Sequence, residues 1–424
     1  MAKKGNKDKN KRFASPKSIG PRRSRWLVLV VFVLVGGAGL GWWHWEATKE
    51  EAGKYLSQAA TLRKKGDFAA AQLYYQKALE IDEGLARAWG DLGVVLVAQN
   101  RYIEALEPLQ RAVEIQPDLF EVWSGLAVAH AMLGHFLKAE EHYRQAIQLK
   151  PEQTALYYNL GCLYQQQGLN AEAATCFQTA VELQPDLHQA WANLGQVYSR
   201  QHKPGEAIEA FRQSLSLKPQ DGPVLENLGQ SYMDLADYRR AREVYERALA
   251  LGIKQAEVYY NLGIIQEQEG RFAEAQELYR DALLQDPEHP GACYHLGVVL
   301  ENQGEEVRAL RLYRKTLDLD RDYVAAYHSL ARLLLRKGSA EEGQQWLQVF
   351  QRMKQYEEQV KKYKRAILRK PREIGPAYEL GVFYFEHRRF EKAREVFEKI
   401  LKLDPDYGAA RKKLDQIVAA AGKA

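Results

Sequence analysis

The sequence repeats itself at an interval of 34 residues over most of its 424 residues. A leucine followed by a small residue marks the interval, at Leu92-Gly93, Leu126-Ala127, Leu160-Gly161, Leu194-Gly195, Leu228-Gly229, Leu262-Gly263 and Leu296-Gly297. A unit of this length does not enclose a core of its own, so neighbouring copies must stack on one another. The period therefore predicts similar units packed in series.

One copy, residues 188–221, indicates what each unit contains. Its first half has apolar and small residues at the spacing of one helical face, namely Trp191, Leu194, Gly195 and Tyr198. A polar break at 201–205 separates this stripe from a second one, formed by Ala207, Phe211 and Ser214. Pro219 then ends the second helix because proline has no N–H to continue the ladder. Each unit is thus predicted to be a helical hairpin.

The order W-x-x-L-G-x-x-Y, A-x-x-x-F, P resembles the tetratricopeptide repeat family. The resemblance implies an all-α fold, a right-handed superhelical solenoid of about ten helical hairpins. The solenoid is expected over residues 52–407. Its units are phased as 52–85, 86–119, 120–153, 154–187, 188–221, 222–255, 256–289 and 290–323, followed by one that starts at Val324 and one over 374–407.

Two places depart from the regular pattern. Pro108 falls inside a predicted second helix, where a kink is expected. The unit from Val324 is 16 residues longer than one period, which predicts either one unusually long helix over about 340–370 or two helices with a bend near Met353. The insertion is interpreted as a packing irregularity, a hinge or a partner-specific surface. Residues 408–424 are expected to form a capping helix.

Residues 26–45 form an uncharged apolar stretch with tryptophans at both ends, long enough to span a bilayer as one transmembrane helix. Residues 1–25 contain ten Lys or Arg and one acidic residue, and are expected to be a disordered cytoplasmic tail. Residues 46–51 are expected to be a short linker. The sequence thus predicts a single-pass membrane protein, with the repeats on the periplasmic or luminal side.

Other interpretations of the N-terminal region stay open. A cleaved signal peptide is one, because Gly37, Ala38 and Gly39 are small enough for a cleavage site. A cytoplasmic location of the repeats is another, although it contradicts the basic tail. Gly37 and Gly41 form a G-x-x-x-G pair that is also found at helix dimer interfaces.

The first helix of each hairpin lines the concave groove in this family, and four consecutive units carry asparagine at one step of it. These are Asn159, Asn193, Asn227 and Asn261, and His295 continues the register. The row resembles the asparagine ladder in the repeats of the protein O-linked N-acetylglucosamine transferases. A carboxamide offers donors and an acceptor to the backbone of an extended peptide. The alternative is that these amides bond their own scaffold.

Four tyrosines one residue earlier also fall on the groove side: Tyr158, Tyr260, Tyr294 and Tyr378. Their rings could stack on side chains of a bound segment. The alternative is packing between repeats. The remaining lining is neutral and lacks the clustered lysines with which some relatives bind a C-terminal carboxylate.

The sequence contains no motif typical of catalysis, so no enzymatic activity, metal or cofactor is predicted. His130, His135 and His142 are the densest histidine group, and the rings of His130 and His135 are expected to diverge. Cys162 and Cys176 share a unit but are expected to point apart, without a disulfide.

These features predict a membrane-anchored interaction scaffold that binds extended segments of partner proteins, in envelope assembly, secretion or polysaccharide export. An accessory subunit of an enzyme complex, such as a glycosyltransferase system, and a self-assembling structural protein are the alternatives. The lipid bilayer is a predicted partner through one helix, and nucleic acid is not.

Overall fold

The computed structural model describes residues 48–421, which form 21 α-helices and no strand. The predicted basic tail and the predicted membrane span, residues 1–25 and 26–45, lie outside these residues. None of the helices in the described range is both long and apolar enough to cross a bilayer. The all-α repeat fold expected from the sequence is therefore confirmed for the described chain.

The chain divides after Pro117 into two compact units. The first contains two hairpins, in α1 (48–64), α2 (Phe68–Ile81), α3 (Ala86–Ala98) and α4 (Tyr102–Ile115). The predicted linker is helical from residue 48 onward, where a 2.9 Å ion pair between Glu50 and Lys54 joins successive turns. Pro108 is buried inside α4, which continues as a helix to Ile115.

The second unit contains eight further hairpins and a final helix. Their first helices are α5 (Phe120–Met132), α7 (Thr154–Gln166), α9 (His188–Arg200), α11 (Gly222–Asp234), α13 (Ala256–Gln268), α15 (Pro290–Asn302), α17 (Val324–Arg336) and α19 (Ile374–Glu386). Their second helices are α6 (Phe136–Leu149), α8 (Asn170–Leu183), α10 (Pro204–Leu217), α12 (Tyr238–Ala250), α14 (Phe272–Gln285), α16 (Glu306–Leu319), α18 (Ala340–Arg369) and α20 (Phe390–Leu403). The last helix is α21 (Gly408–Ala421).

Close backbone approach explains the leucine–glycine pairs. A Cβ atom added to Gly195 on α9 would lie 2.5 Å from Cε1 of Phe211 on α10. The Phe211 ring is completely buried against this glycine. The small residue of one helix and the aromatic residue of the next therefore fit together, and this fit sets the distance between the two helices of a hairpin.

The tryptophans near the start of the first helices also hold the preceding loop. The indole Nε1 of Trp191 donates a 2.9 Å hydrogen bond to the carbonyl oxygen of Pro185, six residues earlier. In the first compact unit, Nε1 of Trp89 on α3 donates in the same way to the carbonyl oxygen of Glu83, at 2.8 Å. The large side chain thus packs into the hairpin while its polar atom fixes the turn that enters it.

The irregular unit contains a single continuous helix, α18, of 30 residues. Its first half packs against the cluster that includes α17, through Trp346, Val349 and Phe350. Its second half contributes Tyr356 and Val360 to the cluster that includes α19 and α20. Met353, the position of the possible bend, contacts both clusters. The structure therefore supports the single-helix alternative.

Two ionic contacts near this long helix join repeats that are not neighbours in sequence. Asp322, in the loop before α17, accepts a 2.7 Å bond from Nε of Arg389 at the start of α20. Arg372, in the loop after α18, lies 3.5 Å from Glu140 on α6 and 3.6 Å from Glu172 on α8. Arg372 and Glu140 are 232 residues apart in sequence, so the second unit contains a contact far beyond neighbouring repeats.

Candidate functional site

The predicted site residues lie on the first helices of the second unit. Consecutive first helices contact one another, α5 with α7, α7 with α9, α9 with α11, α11 with α13 and α13 with α15. Successive second helices of the described chain do not pack to the same extent. The first helices therefore line an inner face, and the asparagine row belongs to α7, α9, α11 and α13.

Two asparagines of the row present unbonded amides. Asn159 on α7 and Asn227 on α11 are both half-buried. Neither side chain makes a hydrogen bond to another described residue. Both carboxamides can therefore bond to a ligand without first breaking a bond to the scaffold.

The other two asparagines are engaged by the scaffold. Nδ2 of Asn193 donates to the hydroxyl of Tyr158 at 3.4 Å and lies 3.7 Å from Sγ of Cys162, both on the preceding first helix. Asn261 is only 7% exposed. The row thus alternates between available amides and amides that contribute to contacts between repeats.

His295, which continues the register on α15, belongs to a half-buried hydrogen-bond network. Its Nδ1 lies 3.0 Å from Oε2 of Glu267, which also accepts a 2.6 Å bond from the Tyr279 hydroxyl. Burial alone would raise the pKa of Glu267, but the hydrogen bonds from His295 and Tyr279 lower it below its usual value. His295 therefore connects two repeats and is less available to a ligand than Asn159.

The predicted tyrosines pack mainly against other rings. The centroid of Tyr158 lies 5.9 Å from that of Phe177, and the centroid of Tyr378 lies 5.8 Å from that of Phe397. In each case the partner belongs to the second helix of the same hairpin. The geometry at these two tyrosines favours a packing role.

Tyr260 and Tyr294 make contacts with the following repeat. The Tyr260 ring lies 4.7 Å from the ring of His289, and a Cβ atom on Gly291 would lie 2.9 Å from its hydroxyl oxygen. Burial raises the pKa of Tyr260 to about 12. The hydroxyl of Tyr294 lies 3.1 Å from Oγ of Ser329 on α17. These tyrosines hold neighbouring first helices together.

Sequence reasoning missed two carboxylates on the inner helices, the half-buried Glu267 and the buried Glu301. Glu267 accepts from Tyr279 as described, and Glu301 accepts a 2.7 Å bond from the Tyr313 hydroxyl. The Glu301 carboxylate also forms an ion pair with the Arg332 guanidinium, at 2.9 Å. The two glutamates are one period apart, as are the two tyrosines, and this coincidence was the signal available in the sequence.

The neutral lining expected from the sequence includes two glutamines, which form an amide pair further along the inner helices. Nε2 of Gln165 on α7 donates to Oε1 of Gln196 on α9 at 3.2 Å. Both side chains are half-buried. Together with Asn159, they give this part of the inner face an uncharged, hydrogen-bonding character.

The expectation that the rings of His130 and His135 diverge is wrong. Their Nδ1 atoms lie 3.2 Å apart, and the His130 ring stacks on His142 with centroids 5.3 Å apart. Burial, helped by the nearby His142, Lys138 and His135, lowers the pKa of His130 to about 4. Among the described residues, no group of three histidine, cysteine or acidic side chains has the geometry of a metal site.

The cysteine thiols of the described chain are free. Cys162 lies on α7 beside Asn193, and Cys176 is buried on α8. Burial raises the pKa of both thiols above the usual value, to about 12 for Cys176. Their low acidity gives neither thiol the character of an activated nucleophile.

Comparison with family models identifies the repeats. A model described as the cilia and flagella-associated protein 70 C-terminal domain, itself built of tetratricopeptide repeats, matches residues 153–367, slightly more than half of the chain. Tetratricopeptide repeat models match residues 50–118, 84–152 and 376–407. The chain belongs to the tetratricopeptide repeat family. No curated protein matches it significantly.

Solved tetratricopeptide structures resemble parts of the chain. One from Cytophaga hutchinsonii is 15% identical, with a TM-score of 0.50, and covers 56% of this chain and 97% of its own. YrrB, described as a tetratricopeptide protein with an unusual peptide-binding site, is 26% identical over 45% of this chain and 98% of its own, with a TM-score of 0.39. PilF from Pseudomonas aeruginosa is 23% identical over 53% and 98%, with a TM-score of 0.42.

Family membership supports the general class of function. Stacked tetratricopeptide hairpins present extended concave surfaces and typically act as non-catalytic protein-interaction scaffolds. Within this chain, the inner first helices provide such a surface, and Asn159 and Asn227 are its available amides.

Proposed function

We propose that the protein is a membrane-anchored scaffold that binds extended segments of partner proteins along its inner first helices. The observation that carries this proposal is the pair of unbonded, half-buried amides at Asn159 and Asn227. The polar atoms of both amides remain accessible to water. A bound segment can therefore replace those water bonds without breaking a bond within the scaffold, at a net gain of about 0.5–1.5 kcal/mol per hydrogen bond.

The chemistry of this surface fits backbone recognition. A carboxamide has two donors and an acceptor, and can bond both the C=O and the N–H of an extended segment. Gln165 and Gln196 add further uncharged groups nearby. Because these groups carry no net charge, the surface is suited to main-chain atoms more than to a terminal carboxylate.

The membrane anchor is proposed from composition alone. Residues 26–45 have the length and the flanking tryptophans of a bilayer span, and the ten cations of residues 1–25 favour a cytoplasmic N-terminus. This orientation would direct the repeats to the periplasmic or luminal side, in envelope assembly, secretion or polysaccharide export.

Site-specific photo-crosslinking in cells tests the binding surface. A photoreactive phenylalanine analogue replaces Asn159 or Asn227 in the full chain, and a matched variant carries it at Gln213, an exposed position on the second helix α10. We expect protein adducts from positions 159 and 227 and none from 213. Adducts from 213 alone, or from none of the three, would reject the inner-face model.

A captured partner then allows a quantitative test. The double variant Asn159→Ala and Asn227→Ala should weaken its binding about tenfold, since each lost hydrogen bond contributes about 0.5–1.5 kcal/mol. Asn261→Ala should leave the affinity nearly unchanged, because Asn261 is buried in the scaffold. Equal weakening by both variants would point to a general loss of folding.

The proposed orientation has its own experiment. A reporter enzyme that is active only outside the cytoplasm is fused after Ala424. Activity supports the periplasmic or luminal location of the repeats. Inactivity, together with activity of a cytoplasmic reporter at the same position, would place the binding surface in the cytoplasm.

A further inference from the structure

The second half of α18 carries the most one-sided charge of the described chain. Residues 361–372 include seven cations and no acidic residue: Lys361, Lys362, Lys364, Arg365, Arg369, Lys370 and Arg372. The rest of residues 26–424 is net negative. This run lies in the part of the sequence that exceeds one repeat period, so the repeat fold alone does not account for it.

Three of these cations already have carboxylate partners. Lys361 pairs with Glu357 at 2.8 Å, and Lys370 pairs with Glu373 at 2.9 Å. Arg372 lies between Glu140 and Glu172. The remaining four cations, which we name the basic stripe, are exposed and form no ion pair within the described residues: Lys362, Lys364, Arg365 and Arg369.

Lys362, Arg365 and Arg369 lie on the side of α18 that faces away from the protein. Lys364, four residues after the buried Val360, lies at the edge of that side. The opposite side of α18 is held by Tyr356 and Val360, with Tyr363 and Ile367 packed against the same cluster. Leu368 lies between the stripe cations on the outer side and is 53% exposed. This side therefore combines an excess of positive charge with one projecting apolar side chain.

Helix stability explains only part of this arrangement. Cations near a helix C-terminus interact favourably with the helix dipole, but the effect is confined to the last turn. Arg369 is in that turn, whereas Lys362 and Lys364 are not. Lys362, Arg365 and Arg369 are three and four residues apart along the helix, a spacing at which like charges repel each other. A partner that neutralises them would therefore lower the free energy.

We propose that the basic stripe is a docking surface for a short acidic segment of a partner protein. From Lys362 to Arg369 the helix rises about 10 Å, which suits a segment of about three extended residues or about eight helical ones. An apolar residue among the acidic ones would cover Leu368. Arg372 illustrates the chemistry, since the last cation of the run is already held by two carboxylates of this chain.

The ends of the stripe favour a short segment over a broad anionic surface. Glu357 and Glu358 precede it on the same helix, and Glu373 follows it. A bilayer surface or a nucleic-acid duplex presents negative charge well beyond about 10 Å and would meet these carboxylates. A segment aligned with the stripe avoids them. The proposal is independent of the inner-face binding above, because the stripe lies on a second helix.

Binding of a defined peptide to the full chain tests the proposal. The probe is a fluorescein-labelled acidic peptide of about eight residues, the helical length of the stripe, with one central leucine. Its control has glutamine in place of every acidic residue. Anisotropy at low ionic strength should detect binding of the acidic peptide only, and added salt should weaken it.

The decisive variant replaces the four stripe cations by glutamine: K362Q, K364Q, R365Q and R369Q. Its matched control removes two lysines and two arginines that are also exposed and unpaired within the described chain: R87Q, R111Q, K254Q and K399Q. We expect the stripe variant to weaken peptide binding about tenfold and the control variant to leave it unchanged. Both should give the helical circular dichroism of the native protein.

Three outcomes would overturn the proposal. The first is equal weakening by both variants, which would indicate a nonspecific charge effect. The second is absence of binding to the acidic peptide. The third is stripe-dependent binding to phosphatidylglycerol vesicles or duplex DNA that exceeds peptide binding, which would assign the stripe to those ligands.

Discussion

Helices α10 and α18 occupy the same position in their hairpins but differ in what they bury. In α10, six of 14 residues are buried, and Phe211 is enclosed completely. In α18, three of 30 residues are buried, although the helix is twice as long. The comparison shows that residues at the regular 34-residue spacing bury their side chains against neighbouring helices. Residues added beyond that spacing, as in α18, remain mostly exposed to solvent.

The strongest test of this comparison is removal of a large side chain from each helix. Phe211→Ala should lower the stability by about 3–5 kcal/mol, because the ring is fully buried between two helices. Trp346→Ala in α18 should cost less, since that side chain is only half-buried. Guanidinium denaturation of the full chain, followed by circular dichroism, measures both. Equal losses would contradict the comparison.

Filling the space beside Phe211 should have a smaller effect. Gly195→Ala places a methyl group 2.5 Å from the ring, so a cost of about 1–3 kcal/mol is expected from overpacking. Gly205→Ala, at the start of α10, is the control, because no atom lies within 4 Å of its added methyl group. Thermal unfolding of the two variants should differ clearly. If both melt like the wild type, the close fit is not required.

Mild acid should destabilise the third repeat. The pKa of buried His130 is lowered to about 4, whereas an unfolded histidine titrates near 6.5. The unfolded chain therefore binds the proton more readily than the folded chain. The contribution of neutral His130 to the free energy of unfolding is fully present above pH 6.5 and is lost as the pH falls towards 4. We expect a loss of about 1–2 kcal/mol across this range.

The variant His130→Tyr should reduce that dependence, because tyrosine stays neutral and occupies the same step at Tyr164 and Tyr198. Burial also lowers the pKa of the neighbouring His142, which keeps the remaining part. His202→Asn is the control at an exposed histidine with positive φ, a conformation that asparagine tolerates. Melting temperatures between pH 7 and pH 4 provide the measurement. A pH profile that His130→Tyr leaves unchanged would exclude His130 as its cause.

The smallest effect is expected at the ionic contact beside α18. Burial alone would raise the pKa of Asp322, but hydrogen bonds from Lys392 and Arg389 lower it. The resulting stability is present above the unfolded pKa of about 3.9 and is lost as the pH falls through the folded value.

Asp322→Asn should therefore lower the stability at pH 7 by up to about 1 kcal/mol and have less effect at pH 3. Asp318→Asn, at an exposed and unpaired acid of the described chain, is the control. Denaturation midpoints at the two pH values measure the difference. A larger loss at pH 3 than at pH 7 would contradict the assigned charge state.

The sequence was sufficient to predict the hairpins, because the period, the leucine–glycine pairs and the aromatic residues all indicate the same contacts. Helices α5, α7 and α9 begin at Phe120, Thr154 and His188, the residues from which the predicted units are counted. The sequence alone does not distinguish one long helix from two bent helices over 340–370, because no proline or glycine near Met353 indicates a break. Packing of Met353 against both neighbouring clusters resolves that question.

The binding side chains were less predictable because their environment depends on neighbours outside the repeat pattern. Asn193 is bonded since Tyr158 and Cys162 lie beneath it, whereas Asn159 and Asn227 have the same register without such partners. The histidine error has a similar origin. The turn at Gly134, with φ of 79°, folds the chain back so that His135 donates its backbone N–H to the carbonyl of His130 and the rings meet.

The contact between Arg372 and Glu140 changes how the array can come apart. An array held only by adjacent units can unzip from either end, one hairpin at a time. A link across 232 residues closes a loop, so its formation carries an entropic cost during folding and ties the last hairpins to the early ones. A truncation before residue 372 therefore removes a restraint on α6, which belongs to a hairpin six positions earlier in the array.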